Sequence, residues 1–183
     1  MSKPLVSVIV PTYDSERFLK RCLCSVRKQR YRDIEVIVVD NYSQDRTREI
    51  AESCGVRVVL CRGIRSKARN VGGNFAKGEF IFSVDSDMEL TPNVVSECVA
   101  EAESGFDAVV IPEISVGEGF WAECKALEKI CYIADETIEA ARFFKRETLK
   151  AINGYDEELE AGEDWDLTQR IRKAKLRVGR VCA

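Results

Sequence analysis

The sequence predicts an α/β fold with a mostly parallel sheet and helices on both of its faces. Over residues 1–112, short apolar runs rich in Val, Ile and Phe alternate with longer amphipathic segments. Strands that are buried on both faces appear as continuous apolar runs, whereas helices place apolar residues on one stripe. This alternation is typical of sheets built through right-handed crossovers. The length of 183 residues fits one hydrophobic core, so we expect a single domain.

Six runs are predicted strands, because each is short, apolar and rich in β-branched or aromatic residues. The first five are Leu5 to Val10, Ile34 to Val39, Val56 to Leu60, Glu79 to Asp87 and Asp107 to Ile111. The sixth covers Thr137 to Lys145, after the pattern changes at Pro112. In a parallel sheet the carboxyl ends of the strands face one crevice, where ligands bind.

Six segments are predicted helices, because their apolar residues recur with helical spacing. The first begins with Asp14 or Ser15 as its cap, and the second is capped by Ser43 and ends near Gly55. The remaining four cover Ser66 to Gly78, Thr91 to Gly105, Phe120 to Ala134 and Glu163 to Ala174.

Two of these helices contain residues that lead to specific expectations about packing. In the third, Gly72 and Gly73 each cost about 1 kcal/mol relative to alanine, so we expect a close packing partner there. In the fifth, the predicted inner stripe consists of Trp121, Cys124, Leu127, Ile130 and Cys131.

The composition excludes several kinds of chemistry. The sequence contains no histidine, which excludes imidazole bases, Ser-His and Cys-His nucleophile systems and His-ligated zinc within this chain. Acid–base chemistry near neutral pH therefore falls to carboxylates, Lys, Tyr or Cys. The eight cysteines form no C-x-x-C motif, and we expect buried thiols in preference to disulfides.

The charge and the hydropathy pattern suggest a cellular setting. A net charge of −3, with scattered basic residues, gives no reason to expect nucleic-acid binding. No apolar run approaches the roughly 20 residues that a membrane helix requires, and the start of the chain lacks a signal-peptide pattern. We therefore expect a cytoplasmic chain without a transmembrane segment. Association with a membrane surface is compatible with this expectation.

Asp85, Ser86 and Asp87 close the fourth predicted strand. In an extended segment, side chains two residues apart point to the same side, so Asp85 and Asp87 are expected to project together. Mg²⁺ takes one or two protein carboxylates and completes its shell with water and phosphate oxygens. An isolated D-x-D more often begins a turn, since Asp and Ser are turn formers.

The predicted sheet places further polar residues at the same edge. Thr12 and Tyr13 follow the first strand, and Asp40 follows the second. Asp164 lies in the first turn of the last helix, on the face of Leu167, where the helix dipole helps to keep a carboxylate ionised. Such a carboxylate could act as a base, or could merely satisfy the helix N-terminus.

Five sequence motifs occur in an informative order. They are PTYD at Pro11–Asp14, VVDNYSQD at Val38–Asp45, KARN at Lys67–Asn70, VDSD at Val84–Asp87, and GYDEEL followed by GEDWDL. Together they resemble the family 2 inverting glycosyltransferases of the GT-A fold, over roughly Pro4 to Val181. The resemblance implies a nucleotide-diphosphate sugar donor, a divalent metal, Mn²⁺ or Mg²⁺, and direct displacement at the anomeric carbon.

The resemblance also implies roles for individual residues. Asp40 resembles the carboxylate that recognises the nucleotide base, and Arg69 resembles a nucleotide-contacting arginine. Asp87, with Asp85, would bind the metal, and Asp164 resembles the catalytic base that takes the proton of the acceptor hydroxyl. The full set of implied donor-binding residues is Pro11, Thr12, Tyr13, Asp40, Arg69, Asp85 and Ser86.

One feature departs from the family pattern. Many members place a histidine shortly after the helix that carries GEDWDL, where it joins the metal site, and this chain has none. We expect either that Asp87, phosphate oxygens and water hold the metal, or that the acceptor half is truncated at its C-terminus. Residues 1–112 are expected to bind the nucleotide sugar, and residues 113–183 to supply the base and the side facing an undefined saccharide, lipid-linked or protein acceptor.

Two other functions fit part of the pattern. A D-x-D at the end of a buried strand also occurs in Mg²⁺-dependent phosphohydrolases of the haloacid-dehalogenase type, although there it usually lies near the N-terminus. A nonenzymatic or inactive nucleotide-sugar-binding module would retain the donor motifs, but the presence of Asp164 argues against it.

Overall fold

The computed structural model describes residues 3–117, 119–131, 135 and 138–182. Within these ranges the strands are β1 (Val6–Thr12), β2 (Ile34–Asp40), β3 (Arg57–Leu60), β4 (Phe80–Ser83), β5 (Ala108–Val110), β6 (Ala141–Lys145) and β7 (Val178–Arg180). They form one sheet in the order β3-β2-β1-β4-β6-β5-β7. Only β6 runs antiparallel to its neighbours β4 and β5, so the predicted mostly parallel sheet is confirmed.

The helices cover both faces of this sheet, as predicted. They are α1 (Leu19–Arg27), α2 (Thr47–Ser53), α3 (Arg65–Phe75), α4 (Val94–Glu103), α5 (Phe120–Cys131), α6 (Arg146–Ala151) and α7 (Glu163–Lys173). Buried residues of α1, α2 and α4 share one core with the side chains of Val6, Val8 and Val10. On the opposite face, α3 packs around Ile9, and α7 packs around Phe144. The sequence did not predict α6 or β7.

The two adjacent glycines of α3 have different surroundings. A Cβ atom at Gly72 would lie 2.3 Å from Cγ2 of Ile9 and 3.1 Å from Cγ2 of Val39. A Cβ atom at Gly73 would meet nothing within 4 Å. The expected close packing partner is therefore confirmed at Gly72, where the helix approaches β1 and β2, and is wrong at Gly73.

Two expected local structures are wrong. The fourth strand ends at Ser83, and the backbone N–H of Met88 donates to the carbonyl oxygen of Asp85 at 3.0 Å, so the D-x-D segment forms a turn. Asp and Ser favour turns more strongly than strands, and this preference prevails once the buried run ends. Ser43 does not cap α2, because its hydroxyl donates to the carboxylate of Asp40.

The predicted inner stripe of α5 is wrong for Cys124, Leu127 and Cys131, whose side chains are exposed. Helical spacing identifies an apolar face but does not guarantee that an element of the same chain covers it. The side chains of Trp121 and Ile130 lie outside the described part of the molecule. The predicted helix end at Ala134 and the predicted strand start at Thr137 also lie outside it.

All eight cysteines are free thiols, in agreement with the prediction. Four of them, Cys22, Cys54, Cys61 and Cys98, are buried as expected. Cys24 is half-buried, whereas Cys124, Cys131 and Cys182 are exposed. None of the described helices has the length and the apolar character that a helix needs to span a bilayer.

Candidate functional site

The carboxyl ends of β1, β2 and β4 meet at one edge of the sheet. Thr12 and Asp40 are register partners, and the hydroxyl of Thr12 donates to Oδ1 of Asp40 at 3.0 Å. The hydroxyl of Ser86, which follows β4, donates to that of Ser15 at 3.0 Å. The loops after these three strands are thus joined by direct side-chain hydrogen bonds.

Asp40 is fully buried at this edge, and protein groups occupy both of its oxygens. Oδ1 accepts from the hydroxyls of Thr12 and Ser43, and Oδ2 accepts from the backbone N–H of Ser43 at 3.0 Å. Nε of Arg48 lies 4.0 Å from Oδ2. A direct contact between Asp40 and a nucleobase would require the exchange of one of these bonds, so its binding role stays a prediction.

Two exposed aromatic rings flank this buried carboxylate. Tyr13, directly after β1, is 63% exposed, and Tyr42, two residues after Asp40, is 40% exposed. Pro11 is instead buried within β1, opposite Val39 of β2. The guanidinium of Arg62 lies 4.8 Å from the centre of the Tyr42 ring. Flat, exposed faces of this kind can stack on a base, and the sequence reasoning missed Tyr42.

Arg69 lies at the centre of a second cluster, where it binds three carboxylates. Its side chain is fully buried in α3, Nη2 donates to Oδ1 of Asp85 at 2.7 Å, and Nη1 donates to Oδ1 of Asp164 at 2.8 Å. Nη1 also donates to Oε1 of Glu163 at 3.0 Å. The guanidinium lies 5.2 Å from the centre of the buried Tyr155 ring. These contacts bring the loop after β4 against the start of α7.

Arg142 is a functional candidate that the sequence reasoning missed. Its Nη2 lies 3.3 Å from Oδ2 of Asp85, its Nη1 lies 3.3 Å from Oδ2 of Asp164, and its Nε donates to Glu113. Because β6 runs antiparallel to β4, the start of β6 lies beside the end of β4. A charged side chain within the apolar run ARFFK was the available sequence signal.

Three arginines, Arg65, Arg69 and Arg142, face four carboxylates in this cluster, which leaves one net negative charge. Burial disfavours the ionised form of Asp85, but the charges of Arg142 and Arg69 outweigh it and hold the pKa of Asp85 below its ordinary value. At Asp164, burial dominates over the same two arginines, and the carboxylates of Asp85 and Glu163 add to it. The pKa of Asp164 is therefore raised.

The pKa of Asp164 is raised, although the helix dipole is expected to help keep this carboxylate ionised. Asp164 is the second residue of α7, after Gly162 in the left-handed conformation, and its side chain is 16% exposed. Burial is the largest influence on this pKa, and it opposes the charged form more than Arg142 and Arg69 favour it. A carboxylate with a raised pKa is a stronger base, and its residual exposure leaves it accessible to an incoming hydroxyl group.

Asp87 differs from the other site carboxylates because it is exposed. Within the ranges that the structure describes, its side chain forms no hydrogen bond or ion pair. The nearby thiol of Cys22 is buried, and burial, followed by the charges of Asp87 and Asp85, raises its pKa to about 12. Asp87 is therefore available to an external ligand, whereas Asp85 is engaged by two arginines.

The arrangement can be compared with known proteins. The family model described as "Glycosyl transferase family 2" matches residues 7–157, and the model described as "N-terminal domain of galactosyltransferase" matches residues 135–183. The uncharacterized glycosyltransferase EpsJ of Bacillus subtilis is 39% identical over 106 residues, which are 55% of this chain and 31% of EpsJ. The chain spans about a third of the length of EpsJ and of GlyG from Streptococcus pneumoniae, at 31% and 38%.

Solved structures show the same fold. TarS 1-349 of Staphylococcus aureus, solved in complex with UDP-GlcNAc, superposes with a TM-score of 0.77 at 25% identity, over 97% of this chain and 56% of that one. The mannosyltransferase PcManGT from Pyrobaculum calidifontis, solved with GDP-Man and Mn²⁺, gives a TM-score of 0.76 at 22% identity, over 99% and 55%. The model of glycosyl transferase family 2 matches most of this chain, so the chain belongs to that family.

Proposed function

We propose that this chain is an inverting glycosyltransferase that moves a sugar from a nucleotide-diphosphate donor to an acceptor hydroxyl, with a divalent metal and a carboxylate base. The observation that carries the proposal is the contact of Asp85 and Asp164 with the same guanidinium, that of Arg69. It brings a predicted donor-side carboxylate and a predicted base into one cluster. In direct displacement, the acceptor hydroxyl attacks the anomeric carbon on the face opposite the departing diphosphate.

The donor is proposed to bind along the carboxyl ends of β1, β2 and β4. The nucleobase would lie beside Asp40 and the Pro11 to Tyr13 segment, against the exposed ring of Tyr13. Asp85 and Ser86 would face the ribose, and Arg69 would stabilise the donor through Asp85. TarS, which shares this fold, was solved with UDP-GlcNAc and with UDP, in support of this class of donor.

A divalent metal fits the residues that are present. Within the described part of the chain, cysteine, aspartate and glutamate side chains form no group of three or more that could hold an ion, so a bound ion would take few ligands from the protein. The exposed carboxylate of Asp87 would bind it, with Asp85 nearby, and the donor's phosphates would complete its shell. When bound, a divalent ion stabilises the charge that develops on the departing diphosphate. Its positive charge also offsets the net negative charge of the neighbouring cluster.

Asp164 is proposed to take the proton of the acceptor hydroxyl as that oxygen attacks the anomeric carbon. Its burial strengthens it as a base, and Arg69 and Arg142 hold its oxygens in place. Residues 1–112 would then bind the donor, and residues 113–183 would supply the base and the acceptor side. The charges of Arg142 and Arg69 hold the pKa of Asp85 below its ordinary value, which makes Asp85 a weaker nucleophile than Asp164 and argues against a phosphohydrolase.

The test is a panel of UDP-sugars and GDP-sugars, each with and without Mn²⁺, in which nucleotide binding, donor hydrolysis and sugar transfer are measured separately. We expect metal-dependent binding of one nucleotide class, together with turnover. Nuclear magnetic resonance should show that an α-linked donor first yields a β-anomer. Binding without turnover would instead identify a binding module, and an α-anomeric product would exclude direct inversion.

A further inference from the structure

Arg142 and Arg69 close a ring of alternating charges around Asp85 and Asp164. Arg69 contacts Oδ1 of both aspartates, at 2.7 and 2.8 Å, and Arg142 contacts Oδ2 of both, each at 3.3 Å. Each carboxylate therefore has one arginine at each of its oxygens. A single contact leaves a carboxylate free to rotate about its terminal bond, whereas contacts at both oxygens fix its plane.

The anchoring of Arg142 shows that its guanidinium is held in one orientation. Its Nε donates to Glu113, which follows β5, while its two terminal nitrogens face Asp85 and Asp164. The side chain is only 13% exposed, and its backbone belongs to β6, an interior strand between β4 and β5. A planar fork fixed at three points can define the separation of two carboxylates, and the single ammonium of a lysine cannot.

One nitrogen of Arg142 distinguishes it from a purely structural arginine. Nη1 is buried and lies within ion-pair distance of Asp164, yet it has no aligned hydrogen-bond acceptor among the described residues. Buried donors without an acceptor are rare in folded proteins, and each one requires an explanation such as strain, a catalytic role or an ordered water. This nitrogen lies 3.3 Å from Oδ2 of Asp164, the predicted base.

We propose that Arg142 is a positioning residue for sugar transfer, which fixes the orientation of Asp164 relative to Asp85 and hence to the donor. The inference rests on the proposed function. Arg142 forms no bond to the reacting atoms in this role and acts through the two carboxylates. Misplacing a base by about 1 Å can reduce a rate by about a hundredfold without weakening substrate binding.

The experiment compares Arg142→Lys and Arg142→Gln with wild type, using the nucleotide sugar that the wild-type chain turns over fastest in the panel above. We expect kcat to fall by about tenfold to a hundredfold in both variants, with the donor KM and the binding of the free nucleoside diphosphate changed by less than about threefold. Glu113→Gln, which keeps Arg142 but weakens its anchor, should lower kcat less.

Arg180 provides the matched control, because it forms a similar two-point pair with Glu139 outside the site, at 2.9 and 3.2 Å. The kcat of Arg180→Lys should equal that of wild type. We therefore expect lysine to replace arginine without loss of kcat at position 180 but not at position 142. The inference is overturned if Arg142→Lys retains full kcat, or if kcat falls only in proportion to the folded fraction measured by circular dichroism. If the wild-type chain shows no turnover, both the proposed function and this inference are wrong. If the wild-type chain turns over normally and the Arg142 variants do so equally well, only this inference is wrong.

Discussion

Asp85 and Asp164, from the loop after β4 and the first turn of α7, share the same two guanidinium groups. Their environments nevertheless differ, because the pKa of Asp85 is lowered and that of Asp164 is raised. Two carboxylates whose environments push their pKa values apart are suited to different tasks. Asp85 stays charged and holds the arginines, and Asp164 is the better proton acceptor.

Asp164→Asn should remove transfer while donor binding persists, because the amide cannot accept the hydroxyl proton. We expect turnover to fall by about a hundredfold to ten-thousandfold. Calorimetry with a nucleoside diphosphate and Mn²⁺ should give a Kd close to that of wild type. Asp166→Asn, two residues along the same helix in a pair with Arg170, is the control and should retain activity. Loss of nucleotide binding in Asp164→Asn, or turnover at the wild-type rate, would contradict the assignment of the base.

The pH dependence of stability should distinguish the two aspartates. A carboxylate with a raised folded-state pKa favours folding when protonated, and this stability is lost as pH rises through that pKa. Asp164→Asn should therefore raise Tm at pH 7, with the gain vanishing below pH about 4. Asp85, with its lowered pKa, contributes stability that is lost only as pH falls through that pKa. Asp85→Asn should consequently lower Tm at pH 7, and thermal melts that show the same sign for both variants would refute this account.

Asp87→Ala should abolish the effect of Mn²⁺ on nucleotide binding with little effect on stability, because the side chain is exposed and forms no hydrogen bond or ion pair within the described residues. The measurement is a thermal-shift titration with a nucleoside diphosphate, with and without Mn²⁺. Asp33→Ala removes an exposed aspartate before β2, at the opposite end of the sheet, and should leave the metal effect unchanged. A full Mn²⁺ response in Asp87→Ala would place the ion elsewhere.

The neighbouring glycines of α3 offer a stability test that is independent of chemistry. Gly72→Ala would force a methyl group to 2.3 Å from Ile9, and such overpacking costs about 1–3 kcal/mol. Gly73→Ala meets nothing within 4 Å and should stabilise the helix by about 1 kcal/mol. Urea unfolding of the two variants measures both effects. The packing of α3 on β1 would be wrong if both substitutions stabilised the chain.

The thiols should fall into classes that follow their burial. Cys124, Cys131 and Cys182 are exposed and should react rapidly with a thiol reagent in the native protein. Burial raises the pKa of Cys22 to about 12 and also raises that of Cys98, so both should react only after unfolding. Absorbance titration before and after adding guanidinium counts the two classes. Rapid native labelling of Cys98 would contradict the packing of α4 on the sheet.

The local pattern of apolar residues predicted the strands β1 to β6 and all the described helices except α6. The pattern failed where apolar spacing alone did not determine the local structure, at the D-x-D segment and at α5. The D-x-D segment turns because the buried run ends at Ser83, and the apolar stripe of α5 leaves Leu127 exposed. The motifs also indicated Asp40, Arg69, Asp85, Asp87 and Asp164, but not how these residues are partnered.

The sequence by itself determined the family, the alternation of strands and helices, and the exclusion of histidine chemistry, because these depend on residue type and local spacing. Only the tertiary structure decided that Arg142 joins Asp85 to Asp164, because that contact arises from the antiparallel pairing of β6 with β4. It also decided which carboxylates are buried and which arginines they contact, and these surroundings rather than sequence position set their pKa values.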